Sequence, residues 1–282
     1  MDLYRTVAEL RELLDGMRAR GLRIGMVGTS GGMHEGHLSL IRRAVAENDV
    51  TALYWGGGSG TIEWQPTTFG YQRDADHDFP LAESAGCDIL FAPPGETMFP
   101  REPMTKVSLP AMSTGLPRLE DPAHLDLIAL AMCKLWNMFG PCRNYFGEKD
   151  WQQLVMFQRL ADDLEFPVEV LGCPTIREDD GVAVSSRNAQ LSPEQRAAAP
   201  ALYQALCAAR DAAVAGSRTT EEVRKAFTAA LGDPASIQYF AAVESDTMRP
   251  LNDLGGSVRL LASIELGSVR LLDNLGIELA GG

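Results

Sequence analysis

The run Gly25-Met26-Val27-Gly28-Thr29-Ser30-Gly31-Gly32-Met33-His34-Glu35-Gly36-His37 decides how this chain is read. It opens inside a short apolar stretch, Ile24 to Val27, that predicts a strand. Glycines and two small hydroxyl residues follow. Then come two histidines three apart, at the head of an amphipathic run through Leu38, Ile41, Ala44 and Val45. Strand, glycine-rich turn and helix N-terminus are the usual way a doubly wound sheet receives a phosphate: glycines let the backbone approach the anion, and the first helical N–H groups have no intrahelical acceptor. The turn is not a P-loop, which ends in Lys-Ser/Thr, and it lacks G-x-G-x-x-G spacing. What it offers is His-x-Gly-His. Residues three apart share a helix face, so both imidazoles can reach one bound group. Gly36 leaves room for a flat base or a ribose. The competing readings are two exposed histidines near a helix start, or a metal pair. With a glycine-rich turn directly upstream and only 4 histidines in the chain, nucleotide binding is the reading adopted.

Working outward, a chain of 282 residues with 45% hydrophobic content allows one large or two modest domains with a packed core. The net charge of −13 argues against a general binder of nucleic acid or anionic membrane. The 5 cysteines form no Cys-x-x-Cys, so neither a zinc site nor a disulfide framework is expected. With charged residues from Asp2 to Glu12, no secretory signal is expected, and no run approaches the roughly 20 apolar residues of a membrane span. A cytoplasmic protein with reduced thiols is the expectation.

Thr6-x-x-Glu9 reads as a capping box ahead of a helix carrying Leu10, Leu13, Leu14 and Met17. Thr51 to Trp55 reads as a second strand, and the glycine run Gly56 to Gly60 follows it, either as a ligand-facing edge or as a flexible insert. A helix is expected over Asp74 to Ala85, strands over Asp88 to Ala92 and Met104 to Leu109, and a long helix over His124 to Phe139. After these come a strand at Asn144 to Phe146, a helix over Asp150 to Leu164 and a strand at Pro167 to Leu171. Alternating strands and helices mean a parallel, doubly wound, Rossmann-like α/β sheet over residues 1–175. Beyond Arg187 the texture changes. Ser192-Pro193 starts an alanine-rich helix to about Ala215, and a second runs from Thr219 to Leu231. A strand from Ile237 to Val243 follows, and Ser257–Leu261 recurs as Ser268–Leu272, which suggests two paired strands. Residues 176–282 are read as a smaller α+β domain closing over the first.

Three further stretches carry chemistry. Phe146-Gly147-Glu148-Lys149-Asp150-Trp151-Gln152-Gln153 joins a strand end to a helix start. Lys149 can hold a phosphate, Asp150 can accept from ribose hydroxyls, and Gln153 can present an amide to a small substrate; a solvated face with an N-capping acid is the competing reading. Ser185-Ser186-Arg187 sets two hydroxyls and a guanidinium in a row, suited to β- and γ-phosphates and a pyrophosphate leaving group, or to a capped polar loop. Lys134 is a lone lysine on an apolar helix, which needs either a partner such as a phosphate or a stem that reaches water.

Together these segments resemble the pantothenate synthetase (pantoate–β-alanine ligase) family, within the HIGH-type nucleotidyltransferases. Gly28 to His37 is similar to its Pro-Thr-Met-Gly-Ala-Leu-His-Glu-Gly-His stretch. Phe146–Leu154, Ile176–Asn188, Lys134–Asn137 and Leu266–Asn274 match four more of its motifs, so the resemblance spans nearly the whole chain. It implies a two-step, ATP- and Mg²⁺-dependent ligation. A carboxylic acid and ATP give an acyl-adenylate and pyrophosphate; an amine such as β-alanine then releases AMP and forms an amide. By the same resemblance His34 and His37 stabilise charge on the phosphates, and Lys149 and Lys134 neutralise phosphate oxygens. Ser185, Ser186 and Arg187 hold the pyrophosphate. Thr29 and Gly36 face the nucleotide, Gly147 and Asp150 hold the ribose, and Gln153 meets the acid. The partners implied are a small acid and a small amine, with no nucleic acid or membrane, in a homodimer formed through the first domain.

The departures fall on the acid-facing side. Gly28 stands where the family has Pro, and Ser30 where it has Met. The Val-Asn-Pro-Thr-Gln-Phe loop is replaced around Gly56–Gly60, with Gln65-Pro66-Thr67-Thr68-Phe69 further on, so either Thr68 stands in for the family's glutamine or that glutamine has no counterpart here. Gly-His-Phe-Arg becomes Ala123-His124-Leu125-Asp126, and Tyr-Pro-Arg becomes Tyr71-Gln72-Arg73. Ser30, Thr68 and Asp126 are therefore candidate acid-binding positions, and Asp126 can attract an ammonium group. Two alternatives stay open: a ligase whose acid is not pantoate, or a nucleotidyltransferase that only transfers AMP. A non-catalytic nucleotide-binding protein is a third, weakened by the intact histidines, Lys149 and Ser185–Arg187.

Overall fold

A computed structural model describes residues 1–56, 74–112, 122–232 and 235–279. The chain begins with β1 (Asp2–Tyr4), α1 (Val7–Ala19), β2 (Ile24–Thr29), α2 (Glu35–Glu47), β3 (Val50–Trp55), α3 (Ala75–Ser84) and β4 (Ile89–Phe91). A short α4 (Gly95–Met98) follows, then α5 (Pro122–Phe139), β5 (Cys142–Gly147), α6 (Trp151–Asp163) and β6 (Val168–Cys173). The six strands pair in parallel in the order β1-β4-β3-β2-β5-β6. The order reverses at β2, whose neighbours are β3 and β5, so the switch point lies between β2 and β5.

Local chemistry explains most of these elements. Thr6 caps α1 as expected: its hydroxyl oxygen accepts from Glu9 N–H at 3.3 Å, and the Glu9 carboxylate accepts from Thr6 N–H at 3.1 Å. Leu10 and Leu14 on that helix are buried. Leu38, Leu40, Ile41 and Ala44 bury one face of α2, while Val45, expected on that face, is exposed. β2 and β5 are tied by a side chain as well as by their ladder. Asn144 donates to Met26 O at 3.0 Å and accepts from Trp136 Nε1 at 2.9 Å, which satisfies a fully buried amide.

The remainder comprises α7 (Pro193–Ala198), α8 (Pro200–Val214), α9 (Thr220–Leu231) and an antiparallel sheet, β7 (Ser236–Glu244), β8 (Gly256–Leu266) and β9 (Val269–Leu279), in that order. Leu202, Leu206, Val223 and Phe227 from the helices share one apolar core with Val258, Leu260, Leu271 and Ile277 from the strands. The repeated Ser-Val-Arg-Leu-Leu does lie on paired strands, but offset: Leu261 faces Asn274 and Leu271 faces Ile264.

Three expectations need correction. The single helix to Ala215 is two, because Pro200 has no N–H to continue the ladder and starts α8 afresh. No strand forms over residues 104–109, where Met104 is fully exposed and the chain is irregular. β1 is an element that the sequence pattern does not announce; three residues are too few to show a period, and its partner β4 lies far along the chain.

The chain divides into two compact units. The first comprises residues 1–108, 125–148 and 156–174 and holds the parallel sheet; the second comprises 109–124, 149–155 and 175–282 and holds the antiparallel one.

Candidate functional site

Ligands of open α/β sheets bind at the carboxyl ends of the strands beside the switch point. Here those ends are Thr29 of β2 and Gly147 of β5. A side chain at Gly147 would meet nothing within 4 Å, so this strand end has open space beside it.

The turn after β2 is built by glycine and by one buried acid. Gly31 and Gly32 have φ of 102° and 64°, in the left-handed region that other residues adopt only under strain. Gly31 N–H donates to Thr29 Oγ1 at 3.1 Å. Gly32 and Met33 N–H donate to the two carboxylate oxygens of Asp78 on α3, at 3.0 and 2.8 Å. Trp55 Nε1 donates to the same carboxylate at 2.8 Å, and His77 Nδ1 lies 3.0 Å from it. Asp78 is 0% exposed. Burial pushes its pKa up, but the hydrogen bonds from Trp55, His77, Met33 and Gly32 outweigh that and hold it below the usual carboxylate range.

The N–H groups of Gly31 to Met33 are thus engaged within the protein. The donors without an intrahelical acceptor belong to the first residues of α2, Glu35 and Gly36, because His37 N–H already turns back to His34 O. His34 is the N-cap residue of α2. Its ring lies against that of His37, centroids 4.1 Å apart and planes at 35°, so one bound group can meet both. The expected histidine pair therefore exists at the expected helix start.

Elsewhere in the first unit, Lys134 on α5 is half-buried, with Nζ 4.8 Å from the centroid of the Phe99 ring. Burial lowers its pKa. A cation–π partner thus accounts for part of its burial. Asp126 is bound by Lys106 at 2.7 Å. Its carboxylate therefore has a lysine partner within the protein. Ser30 is half-buried beside the turn. Gly56 has a local cause, since a Cβ there would sit 1.8 Å from the Tyr54 ring. Thr68, Gly57 to Gly60, Gln65 to Phe69 and Tyr71 to Arg73 lie outside the described residues, as does the side chain of His124.

In the second unit, Lys149 keeps only 17% of its side chain exposed and its Nζ is 3.7 Å from Asp150 Oδ1. Lys149, Ser185 and Arg187 line one cleft together with Tyr203, Arg270 and Asp273. Ser185 caps the short helix Ser186–Gln190, its Oγ accepting from Arg187 N–H at 3.3 Å. The capping reading of this serine holds. Gln152 and Gln153 both line a neighbouring cleft with Lys149 and Asp150, and the Gln152 amide, largely buried, donates to Met112 O at 2.9 Å. Of the two glutamines, Gln153 is the more exposed. Among the described residues no three His, Cys, Asp or Glu side chains gather to hold a metal.

Sequence reading missed Asp78. It stands on a short helix with Asp76 and just after Asp74, and nothing local distinguishes the buried acid from its neighbours. It also gave no role to Arg270 or Tyr203, which belong to the cleft only through the fold.

The family described as pantoate-beta-alanine ligase matches residues 2–276. Pantothenate synthetase 1 of Frankia alni is 48% identical over 280 residues, 96% of each chain. Pantothenate synthetase of Moorella thermoacetica is 39% identical over 287 residues, 99% of each. The crystal structure of pantothenate synthetase from Thermus thermophilus superposes with a TM-score of 0.85 at 38% identity, covering 98% of this chain and 99% of that one.

Proposed function

This chain belongs to the pantoate–β-alanine ligase family, and from that premise we infer that it is an ATP-dependent ligase joining pantoate to β-alanine. The observation that carries the reading is the paired His34 and His37 at the start of α2, beside the switch point of the parallel sheet. The pantoate carboxylate attacks the α-phosphorus of ATP, and the bond to the bridging oxygen breaks to release pyrophosphate. The β-alanine amine then attacks the acyl carbonyl, loses a proton, and expels AMP.

No covalent enzyme intermediate is needed, so the residues work by position and charge. His34 and His37 meet the negative charge that builds on the phosphates, with the first N–H groups of α2. Lys134 and Lys149 neutralise phosphate oxygens. Ser185, Ser186 and Arg187 take the pyrophosphate. Thr29 shapes the turn, Gly36 and Gly147 give the nucleotide room, and Asp150 accepts from ribose hydroxyls. Gln153 meets the pantoate, with Ser30 and Thr68 as further candidates. Magnesium enters with the nucleotide, which suits a cation held mainly by phosphates and water. A homodimer through the first domain and a cytoplasmic location are proposed on the family resemblance; no described helix is long and apolar enough to cross a membrane.

The two alternatives give way. A ligase for a different acid rested on the rewritten acid-facing segments, but the relatives matched over nearly the whole chain are pantothenate synthetases. Transfer of AMP alone has no support among the relatives, which are pantothenate synthetases. The test is ATP–pyrophosphate exchange dependent on pantoate, followed by amide formation with β-alanine. His34→Asn is expected to lower the exchange rate by about 10²–10³, the usual loss for a donor at developing charge. Wild-type exchange that ignores pantoate would overturn the reading.

A further inference from the structure

We propose that Asp273 and Asn274, adjacent on β9, are positioning residues that aim Lys149 and the Ser185–Arg187 segment at one cleft. The proposal rests on the ligase reading only for what the cleft holds, the pyrophosphate end of ATP.

β9 is the last strand of its sheet, and neighbouring residues on a strand point to opposite faces. The two side chains therefore reach two different segments. Asp273, whose side chain is 2% exposed, takes both arms of the Arg177 guanidinium, at 2.5 and 2.9 Å. One of its oxygens also accepts from Asn274 N–H at 2.8 Å. Arg177 donates to Gly181 O at 3.0 Å and lies 3.8 Å from the centroid of the Tyr203 ring. These bonds grip a tight hairpin. Arg177 bridges Ala183, Glu178 N–H reaches Val182 O at 2.9 Å, and Val184 N–H reaches Ile176 O at 2.9 Å. Ser185 is the next residue. The direction in which Ser185–Arg187 leaves the hairpin is thus set by a carboxylate on β9.

Asn274 does the same for the other segment. Its Nδ2 donates to Lys149 O at 2.8 Å, and its Oδ1 accepts from Arg259 Nε at 2.6 Å. Arg259 lies 3.5 Å from the centroid of the Trp151 ring, and Trp151 Nε1 donates to Ser245 O at 3.1 Å. The main chain that carries Lys149 is held at its carbonyl and, two residues on, at the indole. Lys149, Ser185, Arg187 and Asp273 line a common cleft.

Stability alone gives little reason to keep such a pair, since a buried ion pair often contributes nothing over an apolar one. A fork-to-fork Arg–Asp pair does fix geometry, and this one fixes a segment that must meet a multiply charged leaving group.

The experiment compares wild type with Asp273→Asn and Asn274→Ala. It measures pantoate-dependent ATP–pyrophosphate exchange, calorimetric binding of inorganic pyrophosphate, the KM for β-alanine, and Tm. Both variants are expected to lose about tenfold or more in exchange rate and in pyrophosphate affinity, the scale of a lost charge-assisted bond. The KM for β-alanine should stay within about twofold, because the amine does not meet these segments. Arg177→Lys, which keeps the charge but not the fork, should fall between. If Asp273→Asn does not fold, Asn274→Ala decides, as it removes only a neutral amide. Folded variants with wild-type exchange and pyrophosphate affinity would overturn the proposal, as would an equal loss of pyrophosphate and β-alanine recognition. Absence of exchange in the wild type would instead remove the ligase reading, while pyrophosphate binding by wild type and variants would still decide this one.

Discussion

Asp78 has no exposed surface and accepts from two backbone N–H groups of the turn and one indole. Removing its charge leaves those donors facing a weaker acceptor, and the turn that ends at His34 loses its brace. Asp78→Asn should lower ATP–pyrophosphate exchange about tenfold or more, because small displacements of positioning groups are costly. Its effect on stability has a definite pH dependence. The folded pKa lies below the unfolded value, so the carboxylate stabilises the fold above the unfolded pKa, about 3.9, and loses that contribution as pH falls through the folded pKa. The gap in urea midpoint between wild type and Asp78→Asn should therefore be constant above about pH 5 and shrink in more acid solution. A gap that widened on acidification would contradict the assignment. None of this was legible at the residue itself. The histidines could be read because their neighbours announce a turn and a helix start, whereas Asp78 is defined by partners 45 and 46 residues away.

At the scale of elements, α9 shows how a local signal and a distant one combine. Thr219 and Glu222 form a capping box, readable from four consecutive residues. Thr219→Ala should destabilise by about 1 kcal/mol, seen as a lower urea midpoint. Phe227 on the same helix is fully buried, with its ring centroid 4.8 Å from that of Phe240 on β7. Phe227→Ala should cost about 3–5 kcal/mol, since the ring leaves a cavity that the sheet cannot refill. Equal effects from the two substitutions would mean that the helix is held by its cap rather than by its core. The same contrast explains the errors in reading elements. Strands and helices with several periods are legible to within a few residues, while β1, too short for a period, is not. The irregular 104–109 stretch has some strand-forming residues but pairs with none of the described strands.

For the whole molecule, the ligase reading brings magnesium in with the nucleotide, so the metal dependence should belong to the nucleotide. Chelation should abolish exchange yet move the Tm of the nucleotide-free protein by less than about 1 °C, and magnesium with ATP should raise it by mass action. A large fall in Tm on chelation alone would point to a structural ion. What the sequence determined by itself was the alternating pattern behind the parallel sheet, the strand–turn–helix that carries His34 and His37, and the short segments around Lys149 and Ser185–Arg187. Each depends on neighbours within a turn or two of chain, where periodicity, capping and glycine content act directly. Tertiary structure alone decided that Asp126 is matched by Lys106, that Asp78 braces the turn, and that Asp273 grips Arg177 across 96 residues. A charge's role is set by what lies within a few ångströms of it, and for buried charges that neighbour comes from another part of the chain.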